Sequence, residues 1–178
     1  HFDLRVADQA TSGTPFRQAA DAELSRGRPF NYGVVGICRP PNTRALFDDA
    51  NRLGVQYLRD HACTPEATQE FASDYLRRVE TVHLSIDLDA LPGAVAPGVS
   101  APAAYGISID AARAAVRRVA GSGKLGLIEV AEVNPPLDLD GRTARTAALL
   151  IDEAVRHWWD VRIGAVERHA ERRAAGTA

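Results

Sequence analysis

Val82-His83-Leu84-Ser85-Ile86-Asp87-Leu88-Asp89 reads as an apolar strand that runs into two carboxylates. β-Branched and aliphatic residues fill its body, and a Pro/Gly-rich loop from Leu91 to Gly106 follows at once. Downstream, Ser108 caps a helix that carries Ala112, Ala115, Val116 and Val119 on one face. Lys124 to Val133 then reads as a second strand, closed by Asn134-Pro135-Pro136. A long helix begins near Arg142, with Leu150, Ala154 and Trp158 on one side, and its tail from Arg162 onward is expected to fray.

The same alternation extends upstream. Phe30 to Ile37 is a strand, Thr43 to Leu53 a helix stopped by Gly54, and Val55 to Leu58 a short strand. Thr64-Pro65 supplies an N-cap and a proline at the first helical position, for a helix to about Val79 with Phe71, Tyr75 and Val79 four apart. Strand and helix in alternation predict an α/β fold, a mainly parallel sheet with helices on both faces. In such folds the ligand crevice lies beyond the carboxyl ends of the strands. No repeat or low-complexity linker divides residues 1–178, so the chain reads as one domain or most of one.

Composition narrows the function. The chain has 178 residues, 46% hydrophobic and 25% charged, with a formal net charge of −2. That balance gives no electrostatic reason to expect nucleic acid or an anionic membrane as partner. Cys38 and Cys63 form neither a disulfide framework nor a zinc ribbon, which favours a reducing, cytoplasmic setting. No apolar run is long enough to span a bilayer, and no signal-peptide pattern opens the chain. Methionine is absent and the first residue is His1, so the chain is expected to be part of a longer polypeptide, with partner residues upstream.

Asp87 and Asp89, two apart, face one point if the strand continues through them. Close ionised carboxylates repel, and a divalent cation removes that cost. The competing reading is a solvated turn after the strand. His1 and Asp3 repeat the spacing with an imidazole and a carboxylate, a pairing that suits Mn, Zn or Fe. Arg5 and the turn Thr11-Ser12-Gly13-Thr14-Pro15-Phe16 offer a cation, hydroxyls and backbone N–H groups to a carboxylate ligand, or else ordinary turn and N-cap chemistry. Glu132, at the end of the last strand, could meet a cationic amidine, whereas Glu129 is expected to point to the opposite face. His61, His83, His157 and His169 have no evident partners and read as structural or exposed, and Trp158 and Trp159 fit a buried helix face.

Together these segments resemble the ureohydrolase family of arginase, agmatinase and formimidoylglutamase. His1-Phe2-Asp3 is similar to the end of the family's Asp-x-His-x-Asp motif. Ser85 to Asp89 with Ala96-Pro97-Gly98 is similar to its second metal motif and loop, and Ala131-Glu132-Val133-Asn134-Pro135 to its amidine-binding segment. The resemblance implies a three-layer α/β/α arginase-like fold whose N-terminal strands precede this sequence, so that residues 1–178 form the C-terminal part of one catalytic domain. It also implies a binuclear manganese centre with His1, Asp3, Asp87 and Asp89 as four of six ligands, and Asp3 and Glu132 as catalytic residues. The other two ligands, a histidine and the Asp before His1, would lie outside the chain.

Within the family the formimidoylglutamase branch is the best match, because arginases carry a histidine where Phe16 stands and an asparagine where Arg5 stands. An arginine suits a substrate with an extra carboxylate. The implied reaction is hydrolysis of the formimino group of N-formimidoyl-L-glutamate to glutamate and formamide, with Arg5, Ser12, Gly13 and Thr14 on the glutamate end. Agmatinase or another guanidino-acid hydrolase is the alternative, and an inactive fragment is a third reading. Family members are commonly oligomeric, which makes a homo-oligomer an expectation here too.

Overall fold

A computed structural model describes residues 1–175, with side chains described through Gly164. Helix α1 (Pro15–Ser25) precedes β1 (Gly33–Ile37), α2 (Arg44–Arg52), β2 (Gln56–Arg59), α3 (Pro65–Leu76), β3 (Val82–Asp87), α4 (Ile109–Ala120), β4 (Leu125–Ala131) and α5 (Arg142–Ala175). The α/β alternation is as the sequence predicts. β1 starts three residues later than expected and α3 ends three earlier. α5 continues through the tail expected to fray, as far as Ala175.

Three helix starts share the same chemistry. Thr43, Thr64 and Ser108 each hold extended backbone and accept an N–H from the first turn, of Leu46, Ala67 and Ala111 respectively. Each cap satisfies a donor that the helix cannot, for about 1 kcal/mol.

All pairing among the described strands is parallel, but it comes in two separate ribbons. β1 pairs with β2, and β3 pairs with β4. The larger core gathers Leu88, Leu91, Val99 and Ile107 from the turn and loop after β3 with Val116 of α4 and Leu150 and Ala154 of α5. A second core sets Phe2 and Leu4, both fully buried, against Ile37, Leu46, Ala50 and Val55. Phe2 meets Phe47 and Tyr57 edge-on, at 5.1 and 5.3 Å.

The long loop after β3 is held by its own backbone. Ile107 N–H donates to Ala90 O at 2.8 Å, and Gly93 N–H to Ala103 O at 3.1 Å. Gly106 sits at φ +66° with Pro92 N only 2.6 Å from where a Cβ would stand, so both conformation and space require glycine. Gly98 ties the loop to the segments beyond β4. Its N–H donates to Thr143 Oγ1 at 2.7 Å, and its carbonyl accepts from Asn134 N–H at 2.7 Å.

α4 and α5 are clamped by one acid. Glu153 is 5% exposed and accepts from Arg113 Nη2 at 2.6 Å and Arg117 Nη2 at 2.7 Å. The Arg117 guanidinium, helped by Arg113, holds its carboxyl down at about 2. Trp158 packs on the core with Arg162 over its ring, but Trp159 is 55% exposed, contrary to the sequence expectation for both. Their adjacent positions point about 100° apart on a helix, so the apolar face takes only one.

Both the loop and the clamp can be tested by stability. A Cβ on Gly98 would fall 2.5 Å from Asp138 Cβ and 2.7 Å from Asp138 Cα. Gly98→Ala is therefore expected to lower the urea midpoint by the equivalent of about 1–3 kcal/mol at unchanged slope; an unaltered midpoint would show that the loop yields without cost. Glu153 has its folded pKa below its ordinary 4.5, so its contribution is complete above that value and is lost as the pH falls toward 2. Glu153→Gln should lower neutral-pH stability and flatten this acid limb, and acid melts that superimpose on the parent would refute the clamp.

Candidate metal and substrate site

β3 delivers Asp87 to its carboxyl end, but the strand stops there. Leu88–Ala90 forms a 3₁₀ turn, and Asp87 Oδ1 accepts the Asp89 N–H at 3.2 Å. The expected strand alternation through Asp89 therefore does not occur, because an aspartate side chain competes for backbone two residues on. The turn still keeps the two acids together. Asp89 is 6% exposed, and burial together with the Asp89 charge pushes Asp87 up to about 7.

His1 reaches the same place from the other core. Its Nδ1 lies 3.4 Å from Asp89 Oδ2. Phe2 and Leu4 anchor this segment inward while His1 and Asp3 face the site. Asn42, 4% exposed, accepts the Phe2 N–H at 3.0 Å and donates to Cys38 O at 2.8 Å, tying the segment to the end of β1. Asp3 stands at φ +51°, and burial, reinforced by the charges of Asp89 and Glu132, raises its pKa. Glu132 follows the last residue of β4 at φ +70° and accepts from Ser100 Oγ at 3.3 Å. Among the described residues, two of the three non-glycine residues at positive φ are thus site acids. Each costs of order 1–3 kcal/mol, a cost that surrounding structure sustains mainly where a side chain must be aimed.

His1, Asp3, Asp87, Asp89 and Glu132 all line one cleft of about 1850 Å³, which Ser12, Phe16 and Tyr32 also border. Phe16 stacks on Tyr32 at 4.3 Å. Arg5, Gly13 and Thr14, expected from the sequence to bind the substrate, are not among the residues that line the cleft; Arg5 is exposed, and Gly13 and Thr14 are buried in the turn. The Arg5 side chain lies across Gly13, where a Cβ would be 2.9 Å from its Cδ. Arg5 N–H donates to Gly13 O at 3.0 Å. The Thr14 hydroxyl, 3% exposed, donates to Thr11 O at 2.9 Å and accepts Thr11 N–H at 3.0 Å. It shapes the turn, and its one hydroxyl donor is used within that turn and not on a carboxylate ligand, whereas Ser12 is exposed.

Glu129 pairs with His83 at 3.3 Å, both about half exposed, and both border the same cleft as Glu132, although the sequence spacing pointed Glu129 to the opposite face. His61 and His157 likewise have acid partners, Asp60 at 3.4 Å and Glu153 at 4.0 Å. The His169 side chain lies outside the described residues. Asn42 and Ser100 belong to the site without a sequence signal strong enough to mark them. Asn42 comes directly after a Pro-Pro pair, a turn signal, but its long-range partner Phe2 leaves no local trace.

Among the described residues, no group of three or more His, Cys, Asp or Glu side chains is placed to hold a metal ion. The donor chemistry nonetheless suits a hard divalent cation: three carboxylates and an imidazole, with two of the carboxylates raised by burial and mutual charge. Among the described residues, no helix is long and apolar enough to cross a membrane.

A model of the arginase family matches residues 1–156. Formimidoylglutamase of Nocardia farcinica is 52% identical over 158 residues, covering 88% of this chain and 50% of that protein. The Rhodococcus opacus formimidoylglutamase is 49% identical, covering 87% and 49%. Among solved structures, formimidoylglutamase from Bacillus subtilis superposes with a TM-score of 0.78 at 27% identity, over 87% of this chain and 49% of that one. Arginase from the same organism gives 0.72 at 26%, over 86% and 59%. The chain thus spans about half the length of the curated relatives it matches. From the order of its motifs, the acids gathered at one cleft and these matches, the chain belongs to the arginase family and has the arginase α/β fold.

Proposed function

We propose that this chain carries half of a manganese-dependent formimidoylglutamase, which hydrolyses N-formimidoyl-L-glutamate to glutamate and formamide. The observation that carries the reading is that His1, Asp3, Asp87, Asp89 and Glu132 line one cleft, although they come from three segments at least 40 residues apart. It is supported by the sequence identity to the Nocardia and Rhodococcus formimidoylglutamases. His1, Asp3, Asp87 and Asp89 would hold part of a binuclear manganese centre, which supplies Lewis acidity and a low-pKa water when bound.

The protein's own groups divide the remaining work. Glu132, aimed by its backbone and by Ser100, binds the amidinium through a charge-assisted hydrogen bond. Asp3, beside it in charge and in the cleft, holds the proton that passes to the leaving nitrogen. Ser12, at the cleft, and Arg5, once its side chain turns from Gly13 toward the cleft, bind the glutamate carboxylates, while Gly13 and Thr14 fix the turn that presents them. The Phe16–Tyr32 stack forms an apolar wall along the substrate's methylenes. Arg5 favours this substrate over a guanidine ending in an ammonium, which it would repel.

The test uses a protein of the relatives' length that contains this chain. Formamide release from formimidoylglutamate is expected, without urea release from agmatine. The 178-residue chain alone, with four of the six ligands that the family resemblance implies, is expected to release none. Arg5→Ala should raise KM for formimidoylglutamate by about tenfold or more, the loss of one charge-assisted contact of about 1.5–3 kcal/mol. Equal losses on anionic and cationic substrates, or urea as the product, would reject the assignment.

A further inference from the structure

We infer that Tyr105 is a specificity-determining, substrate-binding residue, whose hydroxyl donates to the distal carboxylate of the substrate while its ring lies along the methylenes. The inference deepens the reading above and rests on formimidoylglutamate being the substrate. Tyr105 lines the same cleft as Asp3, Asp87 and Glu132. The other aromatic residues on that cleft, Phe16, Phe30, Tyr32, Phe71 and Tyr75, are all partly buried, whereas Tyr105 is 66% exposed. Single exposed aromatics are common on protein surfaces, so exposure alone decides nothing. What singles out Tyr105 is how its backbone is mounted.

From Ser100 to Gly106, Tyr105 is the one large side chain among Ser, Ala, Pro and Gly. Val99 and Ile107, both buried, anchor the two ends of this run. Ile107 N–H donates to Ala90 O at 2.8 Å, and Gly93 N–H to Ala103 O at 3.1 Å. Gly106 lies so close to the turn after β3 that a Cβ on it would stand 2.8 Å from Ala90 O. Ala90 directly follows Asp89, so the backbone at Tyr105 is held against the turn that carries the acids. An irregular segment fixed in this way presents one side chain with little freedom left to lose on binding.

The chemistry of tyrosine matches the far end of the substrate. The amidine belongs beside Glu132 and Asp3, near Asp89, which is itself buried. The other end of the molecule then points to the open side of the cleft, where Tyr105 stands. That end is two methylenes and a carboxylate. A tyrosine offers an apolar ring to the first and an O–H donor to the second. Ser12 and the Phe16–Tyr32 stack belong to α1 and the segments flanking it, whereas Tyr105 comes from the loop after β3. The substrate tail is therefore gripped from two separate parts of the chain. A site that spends a donor on one substrate group discriminates against analogues that lack the group.

The test uses a protein of the relatives' length that contains this chain, with N-formimidoyl-L-glutamate and N-formimidoyl-L-2-aminobutyrate, which lacks only the distal carboxylate. Tyr105→Phe is expected to raise KM for the first by about tenfold, the loss of one donor to a charged acceptor. kcat, and KM for the second, should stay within about a factor of two. Tyr105→Ala, which also removes the ring, should raise KM for both. Calorimetric titration with glutamate and with 2-aminobutyrate reads the same contrast without turnover. Equal KM changes of Tyr105→Phe on both substrates, no change on either, or a fall in kcat alone would overturn the inference. So would an altered oligomeric mass with unchanged KM, which would assign Tyr105 to a contact between copies. A parent that releases no formamide would instead reject the reaction proposed above, and the titration would then decide the Tyr105 contact by itself.

Discussion

Repulsion among acids at one end of the strands is the constraint on which the rest of this structure depends. Asp87 and Asp89 share a single turn, and the charges of Asp89 and Glu132 both bear on Asp3. Two like unit charges about 4 Å apart repel by about 4 kcal/mol at an effective dielectric near 20. Burial compounds this, because the charged forms lose water. Such a cluster persists where the surrounding fold fixes it, and its cost falls when Asp87 and Asp3, whose pKa values are raised, take up protons or when a cation lies beside them.

The fixing elements are local and specific. The 3₁₀ turn holds Asp87 to Asp89. Phe2 and Leu4 anchor the segment carrying His1 and Asp3, and Asn42 pins its backbone to the end of β1. Gly98 joins the loop after β3 to the segment after β4, so that Ser100 and Glu132 come within hydrogen-bond reach. The strained backbone at Asp3 and Glu132 is a cost that these contacts sustain. Packing far from the chemistry is thereby connected to the orientation of the acids.

Much of this was legible in the sequence, for identifiable reasons. Thr43, Thr64-Pro65 and Ser108 announce helix starts because capping is a local interaction between neighbours. The run from Val82 to Ile86 announces a strand because aliphatic residues continue without a turn former. The Asp87–Asp89 pair, the imidazole of His1 with the Asp3 carboxylate, and the strand-end acid Glu132 were all readable, and all five residues line the cleft. What stayed hidden was non-local or depended on exact backbone angles. Asn42 acts on Phe2 across 40 residues, and Asp87 ends its strand by capturing the Asp89 N–H, a turn that the sequence offered as the competing reading but did not select. Thr14 looked like a ligand-binding hydroxyl, yet the turn itself consumes it. The division into two ribbons was likewise invisible, since alternation of strand and helix does not reveal which strands are neighbours.

The central claim, that the buried acids around Asp87 are held for a cation, is tested most directly by thermal melting of the 178-residue chain and its Asp87→Asn variant, with and without manganese. Measurements belong above the Asp87 midpoint, where its charge is present. Removing that charge relieves repulsion, so the metal-free variant is expected to melt at or above the parent temperature. Manganese binding to the folded state should raise the melting temperature of the parent and do so much less for the variant. A metal-free variant that melts below the parent, with a manganese response equal to the parent's, would contradict the account.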